Sequence, residues 1–296
     1  MKPGVVFVSG AILGAAGAYL ITNTSESCDN LKGGARKKKL EGEVVESFEA
    51  LKKSNSVEEN GVLFNKDKTV LLKYNCDKKS STYKIPDSVM SIRKQAFYYC
   101  TRVKSVIIPN SVTSIGEQAF YYCIKLKNIQ IPKSVTSIGS YAFGECMSLT
   151  NILVDEANND FSSVDGVLFD KKQTKLIIYP SAKIGENYKI PDSVTSIDDY
   201  AFSNCSSLKT ITIPSSVTRI GEGAFLKCTA LTKIAIPTSV TSIGNIAFDG
   251  CSSLETITIP AASRLTSIGS SAFRYCSSLT SITIPSSVTS IWARCI

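Results

Sequence analysis

Residues 208–228 read LKTITIPSSVTRIGEGAFLKC, and the same frame returns along most of the 296-residue chain. Four further copies run from Val103 to Cys123, from Leu126 to Cys146, from Leu231 to Cys251 and from Leu254 to Cys276, the last with two extra residues near Ala261. Because the cysteines at 100, 123 and 146 are spaced by 23 residues, the frame is a structural repeat and not a chance motif.

Each copy carries its own local structural signals. Ile211 to Ile213 alternates apolar and polar residues and is β-branched, which predicts a short strand. Pro214 lacks a backbone donor and ends it. Val217 and Ile220 predict a tight curved segment, Gly221 permits a turn, and the segment from there to Cys228 has room for one or two helical or 3₁₀ turns. One such unit is too small to bury a core, so the copies must stack as a solenoid.

The frame L-x-x-I-x-I-P-x-x-V-x-x-I-G-x-x-A-F-x-x-C resembles the BspA-like leucine-rich repeats, a 23-residue class of bacterial and protist surface proteins. The match spans residues 61–291, and eight Ile-Pro pairs mark its phase. The resemblance implies an α/β leucine-rich-repeat solenoid, β-rich, with a parallel sheet on the concave face and short helical or 3₁₀ turns. It also implies adhesion as the function.

Three segments follow from this interpretation: 1–21 as a signal peptide or membrane anchor, 22–60 as a polar linker or stalk, and 61–296 as the solenoid. Two hairpin-bearing variants of the repeat are expected near 61–85 and 164–190, because both segments hold two apolar runs around a polar Asn/Asp-Lys turn. Their plans match at an offset of 105 residues. We expect the first to start the array and the second to interrupt the cysteine series.

The amino terminus is apolar and uncharged from Val5 to Ile21, which predicts an apolar helix. A cleaved signal fits the small residues Ala16 to Ala18, an uncleaved anchor fits the length, and a buried soluble helix is the third alternative. For an uncleaved helix, the basic run Arg36 to Lys39 favours repeats that face the cytoplasm. The family favours the secreted or cell-surface alternative, and both locations remain open.

The carboxyl end departs from the frame, since the unit that begins at Ser286 breaks off after Ile291 without a polar cap. Solenoids need such a cap to cover the last apolar face. The sequence therefore predicts an edge that frays or pairs with another chain, or else a truncated or diverged end.

The sequence contains no recognised catalytic or cofactor-binding motif. It has no histidine, and we find no phosphate-binding loop, dinucleotide fingerprint or G-x-S-x-G. None of the ten cysteines has CxxC spacing, so we interpret them as small buried residues that recur once per unit, with a disulfide ladder as the alternative. The net charge of +8 is spread out. The sequence thus predicts no enzyme, no cofactor, no metal and no nucleic-acid partner.

Binding is then the expected function, and the outward residues of each strand form the candidate binding surface. One predicted row contains Ile107, Gln130, Leu153, Thr212, Ala235, Thr258 and Thr283, and a second contains Lys104, Lys127, Thr150, Lys209, Thr232, Glu255 and Thr280. Ile107 and Leu153 would be exposed apolar residues, which a partner would cover. We expect a protein or glycan partner, such as a host or matrix protein; a membrane-tethered intracellular scaffold and a truncated copy without function are the alternatives.

Overall fold

The computed structural model describes residues 19–22, 48–52 and 56–291. They form an array of short strands and a single short helix, α1 (Phe48–Lys52). The strands are β1 (Tyr19–Thr22), β2 (Ser56–Glu59), β3 (Val62–Asn65), β4 (Val70–Tyr74), β5 (Thr82–Lys84), β6 (Ser91–Ile92), β7 (Ser105–Ile107), β8 (Ser114–Ile115), β9 (Asn128–Ile131), β10 (Ser137–Ile138), β11 (Asn151–Val154), β12 (Phe161–Val164), β13 (Val167–Asp170), β14 (Lys175–Ile178), β15 (Asn187–Lys189), β16 (Ser196–Ile197), β17 (Thr210–Thr212), β18 (Arg219–Ile220), β19 (Lys233–Ala235), β20 (Ser242–Ile243), β21 (Thr256–Thr258), β22 (Ser267–Ile268), β23 (Ser281–Ile284) and β24 (Ser290–Ile291).

The repeats stack as a β-solenoid of about ten turns. Each regular turn supplies one long strand before the Ile-Pro pair and one two-residue strand after it. Long strands form two parallel sheets, in the orders β11-β9-β7-β5 and β15-β17-β19-β21. The short strands pair in parallel with the same register, so that Ile220 of β18 lies opposite Ile243 of β20. Every turn therefore places the same repeat position beside its neighbour.

The described repeats contain no helix, which corrects the predicted α/β class with helical or 3₁₀ turns: the fold is a β-solenoid. Between the short strand and the cysteine, two residues of each turn adopt positive φ, such as Gln95 at 58° and Tyr99 at 61°. Alternate N–H groups then donate to the next turn, as when the Phe97 N–H donates to the Ala119 carbonyl at 2.7 Å. These bonds replace the i to i−4 bonds that a helix needs.

The core repeats with the turns. Phe202, Phe225 and Phe248 stack with ring centroids 5.1 and 5.0 Å apart, close to the spacing between paired strands. The repeat cysteines are buried, as the spacing predicted, and each described thiol from Cys123 to Cys276 donates to a carbonyl of the preceding turn. Cys228 Sγ, for example, lies 3.0 Å from the Phe202 oxygen.

Two antiparallel units interrupt this regularity, and they match at an offset of 105 residues. β2, β3 and β4 form the first, and β12, β13 and β14 form the second. The second unit lies between two separate apolar cores, because Leu168 packs in the amino-terminal core and Phe169 in the carboxyl-terminal core. It closes the first half of the solenoid and begins the second.

The sequence suggested that Gly221 permits a turn. Its φ is not positive, so glycine is not required there for a turn conformation. A Cβ there would lie 2.6 Å from the backbone of Asp198 in the preceding turn. Gly116 and Gly244 meet the preceding turn in the same way, at 2.4 and 2.5 Å. Glycine is needed at this position because two backbones pass in close contact.

A strand from the amino-terminal part of the chain pairs with the last long strand that the structure describes. β1 pairs with β23 in antiparallel orientation, with Tyr19 opposite Ile284 and Thr22 opposite Ser281. The predicted amino-terminal helix therefore does not extend to residues 19–21, which are extended, while 1–18 lie outside the described residues. Across the described ranges, no helix has the length and apolarity to cross a bilayer. The break after Ile291 also falls outside them.

Candidate binding surface on the long-strand sheets

The outward side chains of the long strands form a largely polar surface on each of the two parallel sheets, and we call these two surfaces together the sheet face. In these strands inward residues are buried and their neighbours are exposed, as the burial pattern of β9 shows for Ile129 and Gln130. The residues of the first predicted row all lie on this face and are all exposed: Ile107, Gln130, Leu153, Thr212, Ala235, Thr258 and Thr283. Lys84 and Lys189 belong to the same row.

The second predicted row is displaced by one residue. Lys104, Lys127, Thr150, Lys209, Thr232, Glu255 and Thr280 each stand immediately before a strand and flank the sheet face. The reason is local: the N–H groups of Lys104 and Ser105 both donate to the Ser81 carbonyl, at 2.7 and 3.2 Å. Because two consecutive residues share one acceptor, alternation starts one residue later than the sequence pattern suggested.

The true second row therefore starts each strand, and several of its members bond to one another. The Asn151 carboxamide donates to Asn128 Oδ1 at 3.2 Å, and Thr150 Oγ1 lies 3.1 Å from the same oxygen. In the second half, the Thr210 hydroxyl donates to Asn187 Oδ1. These side chains stabilise the sheet across its strands, so they are less free to contact a partner.

The most distinctive part of the sheet face is apolar. Ile107 and Leu153 are 51% and 50% exposed, and Gln130 lies on the strand between them. Next to β11 comes the tip of the second antiparallel unit, where the Ile152 N–H donates to the Gly166 carbonyl at 2.9 Å and Val164 is 41% exposed. Apolar side chains are thus concentrated at the junction of the two halves, whereas threonine and alanine occupy the equivalent row in the second half.

A cavity of about 420 Å³ opens beside this row, at the carboxyl ends of the first-half strands. Its polar lining includes Lys84, Asp87, Asn110, Gln130 and Asp155, above an apolar base of Ile-Pro residues. The repeat pattern did not predict this cavity. The sequence feature that could have indicated the cavity is Asp155, which follows β11 at the position where other repeats have the proline of the Ile-Pro pair.

One cysteine pair departs from the expected pattern of buried thiols. Cys76 and Cys100 form a disulfide, while the other described cysteines, all buried, carry no disulfide. Cys76 precedes the regular series, so its side chain is not equivalent to the others and can face Cys100. Burial raises the pKa of the Cys123 thiol to about 12 and raises the pKa of Cys146 as well, which keeps both protonated and unreactive.

The described residues hold no group of three or more cysteine, aspartate or glutamate side chains arranged to bind a metal ion.

A pair of tyrosines lies close to the junction of the two halves and is held by a hydrogen bond. Tyr141 and Tyr200 pack with ring centroids 3.9 Å apart at the junction of the halves, and the Tyr200 hydroxyl donates to Glu222 at 2.5 Å. Burial and this hydrogen bond raise the pKa of Tyr200, so the phenol stays neutral and structural.

The fold and this surface define a leucine-rich-repeat solenoid with an exposed parallel sheet. The family model described as "BspA type Leucine rich repeat region (6 copies)" matches residues 73–188 and 179–296. The chain therefore belongs to the BspA-type leucine-rich-repeat family. No curated protein sequence matches it.

Solved structures of similar chains come from bacteria. A leucine-rich repeat protein from Eubacterium ventriosum is 24% identical, with 79% of this chain and 91% of that one covered and a TM-score of 0.49. The pneumococcal vaccine antigen PcpA is 19% identical, with coverage of 80% and 86% and a TM-score of 0.48. A leucine rich cell surface protein from Faecalibacterium prausnitzii is 23% identical, with coverage of 80% and 94% and a TM-score of 0.42.

Proposed function

We propose that this protein is a non-enzymatic binding protein, displayed outside the cell, whose sheet face engages a host or matrix protein. One observation carries the proposal: Ile107 and Leu153 expose half of their surface on the same face, where β-favouring polar residues would serve the sheet equally well. Large apolar side chains that are exposed on an otherwise polar surface are typical of protein contacts.

The charge around the apolar pair supports a protein partner with acidic groups. Lys104 and Lys127 flank the strands that carry Ile107 and Gln130, and both are exposed. Lys209 is less available, because it pairs with Glu186 at 2.7 Å. Lysines around an apolar centre would steer an acidic partner and contribute little once bound.

The disulfide supports the extracellular location. Disulfides persist in oxidising compartments and are rare in the cytoplasm, where thiols are kept reduced. The Cys76–Cys100 bond therefore favours export over the alternative of a membrane-tethered scaffold that faces the cytoplasm. That alternative is favoured only by the basic residues from Arg36 to Lys39 after the apolar segment.

The binding experiment compares a double variant with a matched control. Surface plasmon resonance would measure binding of the full chain to immobilised fibronectin, laminin and collagen. We expect binding to at least one of them, and a loss of tenfold or more for Ile107→Ser with Leu153→Ser. Thr212→Ser with Thr258→Ser, in the same row of the second half, should leave binding unchanged. Equal binding by both variants, or no binding by the wild type, contradicts the proposal.

Location has a separate test. Protease added to intact cells should remove the repeats if they are outside, and trapping of free thiols before lysis should find Cys76 and Cys100 oxidised. Repeats that survive on intact cells and are cut only after lysis would exclude surface display.

A further inference from the structure

We propose that the cavity at the carboxyl ends of β5, β7 and β9 binds a neutral, hydroxyl-rich ligand, namely one or two sugar units of a glycan. The inference goes beyond the proposed function, which concerns a protein partner, although Gln130 belongs both to the cavity and to the sheet face. A volume of about 420 Å³ lies within the range of small-molecule sites, about 300–1,000 Å³.

The lining combines groups of both hydrogen-bonding kinds. Asp87 and Asp155 supply acceptors, Lys84 supplies donors, and the carboxamides of Asn110 and Gln130 supply both. Two carboxylates against one ammonium disfavour an anion. A cation would only donate hydrogen bonds, so it would leave the Lys84 and carboxamide donors without acceptors. A hydroxyl group both donates and accepts, and a sugar therefore matches this lining best.

These groups are available to a ligand. Within the part of the chain that the structure describes, the carboxamides of Asn110 and Gln130 make no hydrogen bond to the protein. Asp155 uses one oxygen to accept the Ala157 N–H at 2.9 Å, and Lys84 lies 3.8 Å from Asp87 in an exposed pair. An exposed ion pair of this length is weak, so a ligand displaces it at little cost.

The base of the cavity gives the ligand an apolar surface. Ile108, Pro109 and Pro132 line it, and they belong to consecutive Ile-Pro turns. Both prolines are largely buried, so the C–H face of a sugar ring would contact only their exposed edges while its hydroxyls reach the polar rim. The lining is mixed and contains more polar than apolar residues, which suits a hydroxyl-rich ligand.

One wall of the cavity is held rigidly by a buried side chain. Asn158 is fully buried, and its carboxamide donates to the carbonyls of Pro132 and Val135 at 2.8 and 2.9 Å. Its oxygen accepts the N–H groups of Asp160 and Phe161 at 2.9 and 2.8 Å. Both its donors and its acceptor are thus satisfied, which fixes the loop that carries Asp155 and lowers the cost of ordering a ligand.

The second half of the solenoid supplies an internal comparison. At the offset of 105 residues, Ser215 replaces Asn110, Ala235 replaces Gln130 and Pro260 replaces Asp155. The equivalent ion pair, Lys189 with Asp192, is retained there, but both carboxamides and the second carboxylate are missing, and the proposal predicts ligand binding in the first half alone.

The test uses saturation-transfer NMR on the full chain with four neutral disaccharides: cellobiose, lactose, chitobiose and mannobiose. We expect at least one to bind and Asn110→Ala with Gln130→Ala to weaken its binding about tenfold. The matched control Ser215→Ala with Ala235→Ser should bind like wild type, and thermal melting should show that both variants remain folded.

Three outcomes would overturn the proposal: no disaccharide binds, binding is unchanged in the Asn110 and Gln130 variant, or argininamide binds in place of the sugars, which would indicate a pocket for a cationic side chain. The Ile107→Ser and Leu153→Ser variant separates this proposal from the binding function. It should retain disaccharide binding even where protein binding is lost, so either proposal can fail without the other.

Discussion

Leu168 and Phe169 are consecutive residues of β13, yet they are buried in different apolar cores. Because neighbouring side chains of a strand point to opposite faces, one strand can cover the end of the first half and the start of the second. The sheet face is therefore interrupted at this unit, between β11 and β15.

Shortening Leu168 should loosen the first half in particular. We expect Leu168→Ala to lower the free energy of unfolding by about 2–5 kcal/mol, the range for buried leucines, with hydrogen exchange increasing in β9 and β11. Val164→Ala, at an exposed site in the same unit, should change stability by less than about 0.5 kcal/mol. If exchange increased equally in β9 and β19, the unit would not separate two cores.

Close stacking of turns predicts that Gly244 cannot carry a side chain. A Cβ there would lie 2.5 Å from the Glu222 nitrogen, and backbone cannot move aside as a flexible side chain would. We expect Gly244→Ala to destabilise the protein by more than about 2 kcal/mol in urea unfolding.

Asp198 is the control for this prediction, because it occupies the glycine position in the turn that follows the second antiparallel unit. A Cβ is already accommodated there, and Asp198 makes only a partly exposed ion pair with Lys175. Asp198→Ala should therefore cost no more than about 1 kcal/mol. Similar losses in the two variants would mean that close contact is not the reason for glycine.

The 23-residue period was sufficient to predict the stacked turns, the buried cysteines and the exposure of Ile107 and Leu153. All three features follow from the spacing of the apolar residues, which can be read directly from the sequence. The helical turns were predicted wrongly because the left-handed positions are filled by ordinary residues such as Gln95 and Tyr122, which carry no glycine signal. The cavity depends on the loop after β11, whose path is set by the hydrogen bonds of Asn158 to the preceding turn.

The Cys76–Cys100 bond predicts a redox-dependent stability. It closes a loop with a sequence separation of 24 and ties the first antiparallel unit to the first regular turn. We expect Cys76→Ser to lower the free energy of unfolding by about 2–4 kcal/mol, and reduction of the wild type to have the same effect.

The equivalent of Cys76 in the second half is Ser181, whose hydroxyl donates to the Cys146 carbonyl at 2.8 Å. Loss of that single hydrogen bond in Ser181→Ala should cost about 0.5–1.5 kcal/mol. It should also be insensitive to reductant. A wild-type protein whose unfolding midpoint is the same with and without reductant would show that the bond does not stabilise the fold.

The buried thiols predict that stability falls in alkali. An exposed thiol has a pKa of 9.0, and burial raises the pKa of Cys123 to about 12, so between these values the unfolded chain releases a proton that the folded chain keeps. The stabilisation is complete below pH 9 and is lost as the pH rises towards 12, by up to about 1.4 kcal/mol per pH unit for this thiol. Cys123→Ala should reduce the slope of unfolding free energy against pH by up to that amount, whatever it costs at neutral pH. An unchanged slope would show that the Cys123 thiol ionises as readily in the folded chain as in the unfolded one.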